Sequence, residues 1–358
     1  KVAVNGDLLP EQGVGHGVGV CQHGAGNAED VAGDHVDERK GQHSRIMAQM
    51  GYEPNFEAEP SEAFSKTIGI ILPSSQRDVY ENAFHLEIIR GIGQFCNQRR
   101  YVNTVITGED DAEVLDAAKE LKIVVRAGAG YDNVDLAAAT AHGVCVMNTP
   151  GQNSNAVAEL VFGLLVYAVR NFYNGTSGTE LMGKKLGIHA YGNVGRNVAR
   201  VAKGFGMDIY AYDAFCPKEV IEKDGVKAVD SADELYSACD VVSLHIPATA
   251  ETKNSINYAL VNKMPKGGVL VNTARKEVIN EAELIQLMEE RGDLKYMTDI
   301  MPAAHETFAA KFVGRYFSTP KKMGAQTAEA NINAGIAAAQ QIVGFLKDGC
   351  EKFRVNKK

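Results

Sequence analysis

The chain has 358 residues, 45% hydrophobic and 23% charged, the profile of a water-soluble globular protein with enough length for two domains. Its net charge of -8 argues against a nucleic-acid surface, because neutralising phosphates takes clustered Lys and Arg, and no apolar run is long enough to cross a bilayer. The start lacks the basic, apolar, small-residue progression of a signal peptide. Cys21, Cys96, Cys145, Cys216, Cys239 and Cys350 lack paired spacing, which favours reduced thiols in a cytoplasmic protein over a disulfide framework or a zinc site.

Residues 1–43 are rich in Gly and His and poor in large apolar side chains. Such a stretch cannot offset its ordering entropy, and residues 1–65 are expected to be mobile or irregular. His16, Cys21 and His23 match no zinc spacing, so no metal is expected. GVGHGVG has neither a strand before it nor a helix after it, which rules out a phosphate loop. TIGIILP (67–73) reads as a buried strand, residues 78–100 as a helix and YVNTVITGED (101–110) as a second strand, together one β-α-β unit. AEVLDAAKEL (112–121) predicts a helix, KIVVRAGAG (122–130) a strand entering a Gly-rich turn, YDNVDLAAATAHGV (131–144) a helix and VCVMNTPG (144–151) a strand. NSNAVAELVFGLLVYAVRN (153–171) predicts a long helix that Asn153 or Ser154 can cap. It is apolar enough to need burial between domains or against a second subunit.

The strand LGIHAY runs into Ala190-Tyr191-Gly192-Asn193-Val194-Gly195, and a helix follows at once. This is the G-x-G-x-x-G fingerprint with Ala at the first glycine, which predicts a slightly altered turn. Gly192 lets backbone amides approach a pyrophosphate, Gly195 lets the helix pack on the strand, and the helix N-terminus adds partial positive charge. MDIYAYD then forms a strand ending in Asp213. A carboxylate there accepts from ribose hydroxyls and repels a 2′-phosphate, which predicts NAD rather than NADP. DVVSLHIPAT (240–249), GGVLVNTAR (267–275) and LKYMTDI (294–300) each place polar residues just past an apolar run. Ligands of doubly wound sheets bind at the carboxyl ends of strands, so His245, Pro247, Thr273, Ala274, Arg275 and Asp299 join the candidates.

The motifs HAYGNVG, SLHIPATAET, VNTARKEVINEAEL, STPKKMGAQTAEA, VRAGAGYDNVDLAAA and NTPGQNSNAVAEL resemble those of D-2-hydroxyacid dehydrogenases over residues 110 to 356. Within that family the chain is most like the short members that oxidise 3-phosphoglycerate in serine biosynthesis. The resemblance implies an α/β fold of two flavodoxin- or Rossmann-like domains with doubly wound parallel sheets and a cleft between them. It divides the chain into a substrate domain (66–150 with 328–358) and an NAD domain (151–327), and the apolar helix hints at a homodimer. It also implies a trio: an Arg that holds the substrate, a His that moves the proton and a Glu that orients the His. Arg275 matches the Arg, and its planar fork suits a carboxylate. Lys322 stands where the His belongs and Ala304 where the Glu belongs, with His305 and Glu306 as neighbours. A lysine acts as a base near neutrality only if its pKa falls from about 10.4 toward about 7–8. A carboxylate beside it would oppose that fall, so losing the Glu with the His is chemically coherent, and Arg275 and Lys321 could supply a depressing field. Lys322 is thus expected to take the hydroxyl proton; the alternative is that it only binds substrate phosphate or carboxylate. Backbone amides of Ala127, Gly128 and Ala129 could form an anion nest, with Arg126, Asn153 and Lys321 as helpers.

Residues 44–110, beginning SRIMAQMGYEPN, instead resemble the hinge and core start of LacI-type repressors, though no helix-turn-helix precedes them. The chain therefore reads as a hybrid of two sources. A ligand-binding regulator and an NAD-binding protein without turnover stand as the alternative functions.

Overall fold

The computed structural model describes residues 2–5, 67–73, 83–108, 118–131 and 134–356, arranged around two sheets. The smaller sheet holds β1 (Val2–Asn5), β2 (Thr67–Pro73), β3 (Val102–Gly108), β4 (Leu121–Arg126) and β5 (Cys145–Asn148) in the order β3-β2-β1-β4-β5. β2 runs parallel to β3 and β4 parallel to β5, as β-α-β crossovers require. β1 lies between them, antiparallel to both, with Val2 opposite Ile70 on one side and Val125 on the other. The expectation of an irregular segment over residues 1–65 therefore fails at Val2–Asn5, and the smaller sheet is mixed rather than parallel. The reason is backbone pairing: the facing edges of β2 and β4 need donors and acceptors, and an extended VAVN run supplies them. His16, Cys21 and His23 lie outside the described residues.

α1 (Ala83–Arg99) crosses from β2 to β3, and α2 (Leu136–Ala141) from β4 to β5. The helix predicted over 112–121 fails at its end: residues 119–120 form a turn and Leu121 opens β4, because the apolar run Leu121–Val125 continues as one buried strand. The one predicted over 131–144 contracts to α2, where the Asp135 carboxylate accepts the Ala138 amide at 2.9 Å.

α3 (Ser154–Val169) leads to the larger sheet. Asn153 occupies its N-cap but makes no side-chain cap bond, and the Ser154 hydroxyl, although buried, has no partner among the described residues. The φ of -102° and ψ of 3° at Asn153 depart from the extended geometry that aims a capping side chain. Instead the Ser154 amide closes a turn on the Gly151 carbonyl at 3.2 Å.

The larger sheet carries β6 (Lys185–His189), α4 (Asn193–Gly204), β7 (Asp208–Tyr212), α5 (Lys218–Lys223), β8 (Lys227–Ala228), α6 (Ala232–Ala238), β9 (Val241–Leu244), α7 (Tyr258–Val261), β10 (Val269–Asn272), α8 (Glu281–Glu290), β11 (Lys295–Thr298), α9 (His305–Lys311) and β12 (Tyr316–Ser318). Its order is β12-β11-β10-β9-β6-β7-β8, with every pair parallel. The order reverses direction between β6 and β9, the switch point where doubly wound sheets open a crevice. α3 packs on α4, β10 and β11, so Leu165, Leu186, Ile188 and Val198 share one core. Its apolar surface is thus buried by its own chain.

α10 (Ala328–Asp348) starts at a Thr327 cap whose hydroxyl accepts the Ala330 amide at 3.1 Å, and it returns to pack on α1 and β4. Two glycines allow that close crossing. A Cβ on Gly91 would stand 2.2 Å from the Ile332 carbonyl oxygen, and one on Gly335 2.3 Å from that of Ile88. Beyond α10 the chain covers the free edge of β5: the Val355 amide donates to the Val146 carbonyl at 2.8 Å, and buried Asn356 bonds the backbone of Val144 and Val146, each at 2.8 Å.

Candidate active site

The all-parallel order gathers the carboxyl ends of the larger sheet on one side. After β6, Ala190 sits at φ 83°, the left-handed conformation that the first glycine normally supplies. The turn is therefore not altered as expected; an alanine is held in the glycine conformation. Gly192 opens α4 with free space around it, whereas a Cβ on Gly195 would lie 2.4 Å from the Ala190 carbonyl oxygen. The two glycines thus divide the work as expected, one for ligand approach and one for helix packing. The Asp213 carboxylate faces this turn: Oδ2 accepts the Tyr191 amide at 2.6 Å, and Oδ1 accepts the Phe215 and Cys216 amides at 2.8 Å each. Tyr191 belongs to the turn through its backbone only, since its ring is buried and its hydroxyl donates to Asp224 at 3.1 Å. Val194 packs against the core beneath. The Asn193 side chain lies against Gly151, whose φ is 86°, so the turn abuts the passage from β5 to α3.

At the switch point two histidines meet. The His245 amide donates to the His189 carbonyl at 2.9 Å, His245 Nε2 lies 3.0 Å from Ser243 Oγ, and His189 Nδ1 lies 3.3 Å from the Tyr236 hydroxyl. Burial lowers His189 to about 4, against the pull of Asp213, and burial together with His189 lowers His245 to about 3. Both rings are neutral at physiological pH. Pro247 is exposed, and its carbonyl accepts the Thr252 hydroxyl at 2.6 Å.

Past β10, buried Asn272 accepts the Ala274 amide and donates to the Arg275 carbonyl, both at 3.0 Å, which fixes the NTAR turn. The Arg275 guanidinium then donates to the Ala274 carbonyl at 2.9 Å, and Lys322 Nζ donates to that same oxygen at 3.3 Å. The two cations are neighbours on one acceptor. Past β12, Thr319 Oγ1 lies 3.0 Å from the Asp299 carbonyl and 2.7 Å from the Lys321 carbonyl. Lys321 is tied in through its backbone, with its side chain exposed. Asp299, fully buried after β11, accepts the Gly324 amide on Oδ2 at 2.6 Å. Burial raises its pKa, while the Gly324 amide and then the Lys322 charge pull it down. Ala304 brings no carboxylate; its amide and that of Ala303 are held by Glu281 at 2.7 and 2.9 Å. His305 is turned onto the Tyr316 hydroxyl at 2.9 Å, and Glu306 lies in the first turn of α9.

At the end of β4, Arg126 folds over Gly128. Its Nη1 lies 3.4 Å from the Ala127 carbonyl and fills the space a Cβ on Gly128 would need. Asn148 donates to the Ala129 carbonyl at 2.6 Å, and the Thr149 amide to the Gly128 carbonyl at 2.9 Å. The sequence assigns no role to Asn148, Asn272, Glu281, Thr319 and Gly324, although each lies within a motif that carries the family resemblance.

The chain's own atoms fit a nicotinamide dinucleotide. The open Gly192 turn suits a diphosphate and Asp213 a ribose. At the ends of the adjacent strands β10 and β11, Thr273 Oγ1 and Asp299 Oδ1 are buried without a partner among the described residues, which is costly unless a ligand completes them. A family profile described as D-isomer specific 2-hydroxyacid dehydrogenase, NAD binding domain, matches residues 167–314. The chain is 36% identical over 265 residues to a D-3-phosphoglycerate dehydrogenase of Methanocaldococcus jannaschii, an alignment covering 68% of this chain and 49% of that protein. It thus spans about half the length of that relative. It is 35% identical to a hydroxypyruvate reductase of Thermotoga maritima, covering 64% of this chain and 79% of that one. Among solved structures it superposes on an NAD+-bound 3-phosphoglycerate dehydrogenase of Entamoeba histolytica with a TM-score of 0.69 and 40% identity, covering 81% of this chain and 98% of that one. On the strength of these matches and of the strand-end geometry that accompanies them, the chain belongs to the D-isomer specific 2-hydroxyacid dehydrogenase family.

Proposed function

We propose that the chain oxidises a D-2-hydroxy acid, 3-phosphoglycerate, to 3-phosphohydroxypyruvate with NAD, a step of serine biosynthesis. The carrying observation is the meeting of Arg275 and Lys322 on the Ala274 carbonyl. Two cations at the mouth of a dinucleotide sheet make a place for an anionic substrate. The Gly192 turn, Asp213, Thr273 and Asp299 would hold NAD, which when bound accepts the hydride. Arg275 grips the carboxylate and carbonyl oxygens, and Lys322 takes the hydroxyl proton in place of the imidazole that the family resemblance implies. Arg126, Ala127, Gly128, Ala129 and Asn153, together with Lys321 beside Lys322, receive the phosphate.

In this reading residues 151–327 bind NAD and residues 66–150 with 328–358 close over the substrate, excluding water. The likeness of residues 44–110 to a repressor hinge adds no second activity. Residues 44–66 lie outside the described ones, and the strand-helix-strand unit beyond serves any flavodoxin-like domain. The partner is a second copy of the chain, for which Met182 and Phe205 offer neighbouring exposed apolar side chains at 73% and 36% exposure. The test is NADH absorbance at 340 nm with NAD and 3-phosphoglycerate, run beside light scattering for the dimer. Absence of turnover would discard the activity, and a monomeric mass the partner.

A further inference from the structure

We infer that Asp299 is the electrostatic partner of Lys322, so that a lysine and an aspartate from adjacent strand ends replace the imidazole and glutamate of the family trio. This rests on the reading of Lys322 as the proton acceptor. The sequence suggested that no carboxylate accompanies Lys322, because Ala304 stands at the glutamate position. The fold supplies one from another strand. β11 and β12 are parallel neighbours, and the segments that follow them are knotted together. Thr319 Oγ1 reaches the carbonyls of Asp299 and Lys321, and the Gly324 amide donates to Asp299 Oδ2 at 2.6 Å. A Cβ at position 324 would lie 2.7 Å from that oxygen, so glycine lets the loop settle on the carboxylate. Lys322 hangs from the same loop and reaches across to the end of β10.

Asp299 is fully buried and its Oδ1 has no partner among the described residues. Burial favours its neutral form, but when ionised its charge is weakly screened and carries further than that of a surface acid. The Lys322 charge already acts on it, pulling its carboxyl down against burial. Among the described residues, the charged groups near Lys322 include Asp299, Arg275 on the shared carbonyl and Lys321 next in the chain. During oxidation the substrate hydroxyl proton moves to Lys322 Nζ while the hydride and its electron pair leave C2 for the nicotinamide. The ammonium so formed is stabilised by Asp299, as an imidazolium is by a glutamate. A positive Arg275 disfavours the ammonium form of Lys322 and an ionised Asp299 favours it, so in this proposal Asp299 governs how readily Lys322 gives up its proton.

The test reads titration directly. Lysines are methylated with 13C-formaldehyde, and the Lys322 signal is identified by its absence in Lys322→Met. In Asp299→Asn, which keeps an acceptor for the Gly324 amide, Lys322 should titrate about one pH unit or more lower than in the unsubstituted chain. The acidic limb of the kcat profile for oxidation, where Lys322 becomes protonated, should move with it. The reciprocal measurement does not depend on how that variant folds. In Lys322→Met, whose substitution lies at an exposed position, the 13C-carboxyl signal of Asp299 should titrate at higher pH, since coupling acts equally in both directions. Unchanged titration of Asp299 in Lys322→Met would overturn the pairing, as would unchanged titration of Lys322 in a folded Asp299→Asn. Near-normal turnover by Lys322→Met would instead reject Lys322 as proton acceptor and leave the titration result standing.

Discussion

Ala190 holds φ 83° with a methyl group that disfavours it. A left-handed L-residue carries about 1–2 kcal/mol of strain, and glycine's greater unfolded freedom returns about 0.5–1 kcal/mol of that. Ala190→Gly should therefore stabilise the chain by about 0.5–1 kcal/mol, read as a higher urea midpoint at constant m-value. The histidine pair makes a second residue-scale prediction. His189 and His245 fall in the folded chain from 6.5 to about 4 and about 3. Below pH 6.5 the unfolded chain binds the extra protons, so their contribution is full above that pH and drains as pH falls toward the folded values. For His189 the loss is on the order of 3 kcal/mol. Urea midpoints measured from pH 7 to 4 should decline, and His189→Phe should flatten part of the decline; parallel curves would reject the assignment. At this scale the resemblance offers Lys322 and Ala304 at the positions where a His and a Glu are expected. It did not display Asp299 as a neighbour of Lys322, because that adjacency arises from strand pairing and from the Gly324 amide.

At the scale of elements, α1 and α10 cross where Gly91 and Gly335 leave room only for backbone. Replacing a helical glycine by alanine ordinarily gains about 1 kcal/mol. Here the methyl would meet a carbonyl oxygen, so Gly335→Ala should instead lose about 1–3 kcal/mol, as overpacked sites do. A rise in thermal midpoint would contradict this. The longer elements were legible because their apolar periods are unbroken: TIGIILP is β2 over the predicted residues, and α3 lies within two residues of its predicted bounds. β1 was not legible, since four residues beside a Gly-rich stretch carry no period and the strand exists to satisfy two facing edges. The helix predicted over 112–121 took in Leu121, whose burial in β4 outweighs its helical propensity.

Over the whole molecule, two sheets are joined by α3 and α10, and both passages touch the cofactor side of the larger sheet. Gly151 lies against Asn193, and Gly324 against Asp299. A ligand seated on the Gly192 turn and the β11 end would brace both passages. Saturating NAD should therefore raise the unfolding temperature, on the order of 5 °C at a hundredfold excess over Kd. NADP should do so far less, because Asp213 opposes a 2′-phosphate; equal shifts would reject Asp213 as the discriminator. The NAD half was readable because strand, glycine turn, helix, strand and acid follow one another along the chain. In the smaller half β2 to β5 were readable one by one but their order was not, because β1 is inserted between β2 and β4 from a segment distant in sequence.

The central claim is that Arg275 and Lys322 together carry the chemistry beside NAD. Initial rates at 340 nm with NAD and 3-phosphoglycerate test it most directly, comparing the unsubstituted chain with Lys322→Met. Turnover by the former and a loss of about 100-fold or more in kcat for the latter are the predicted result. Equal rates, or no NADH from the unsubstituted chain, would contradict it.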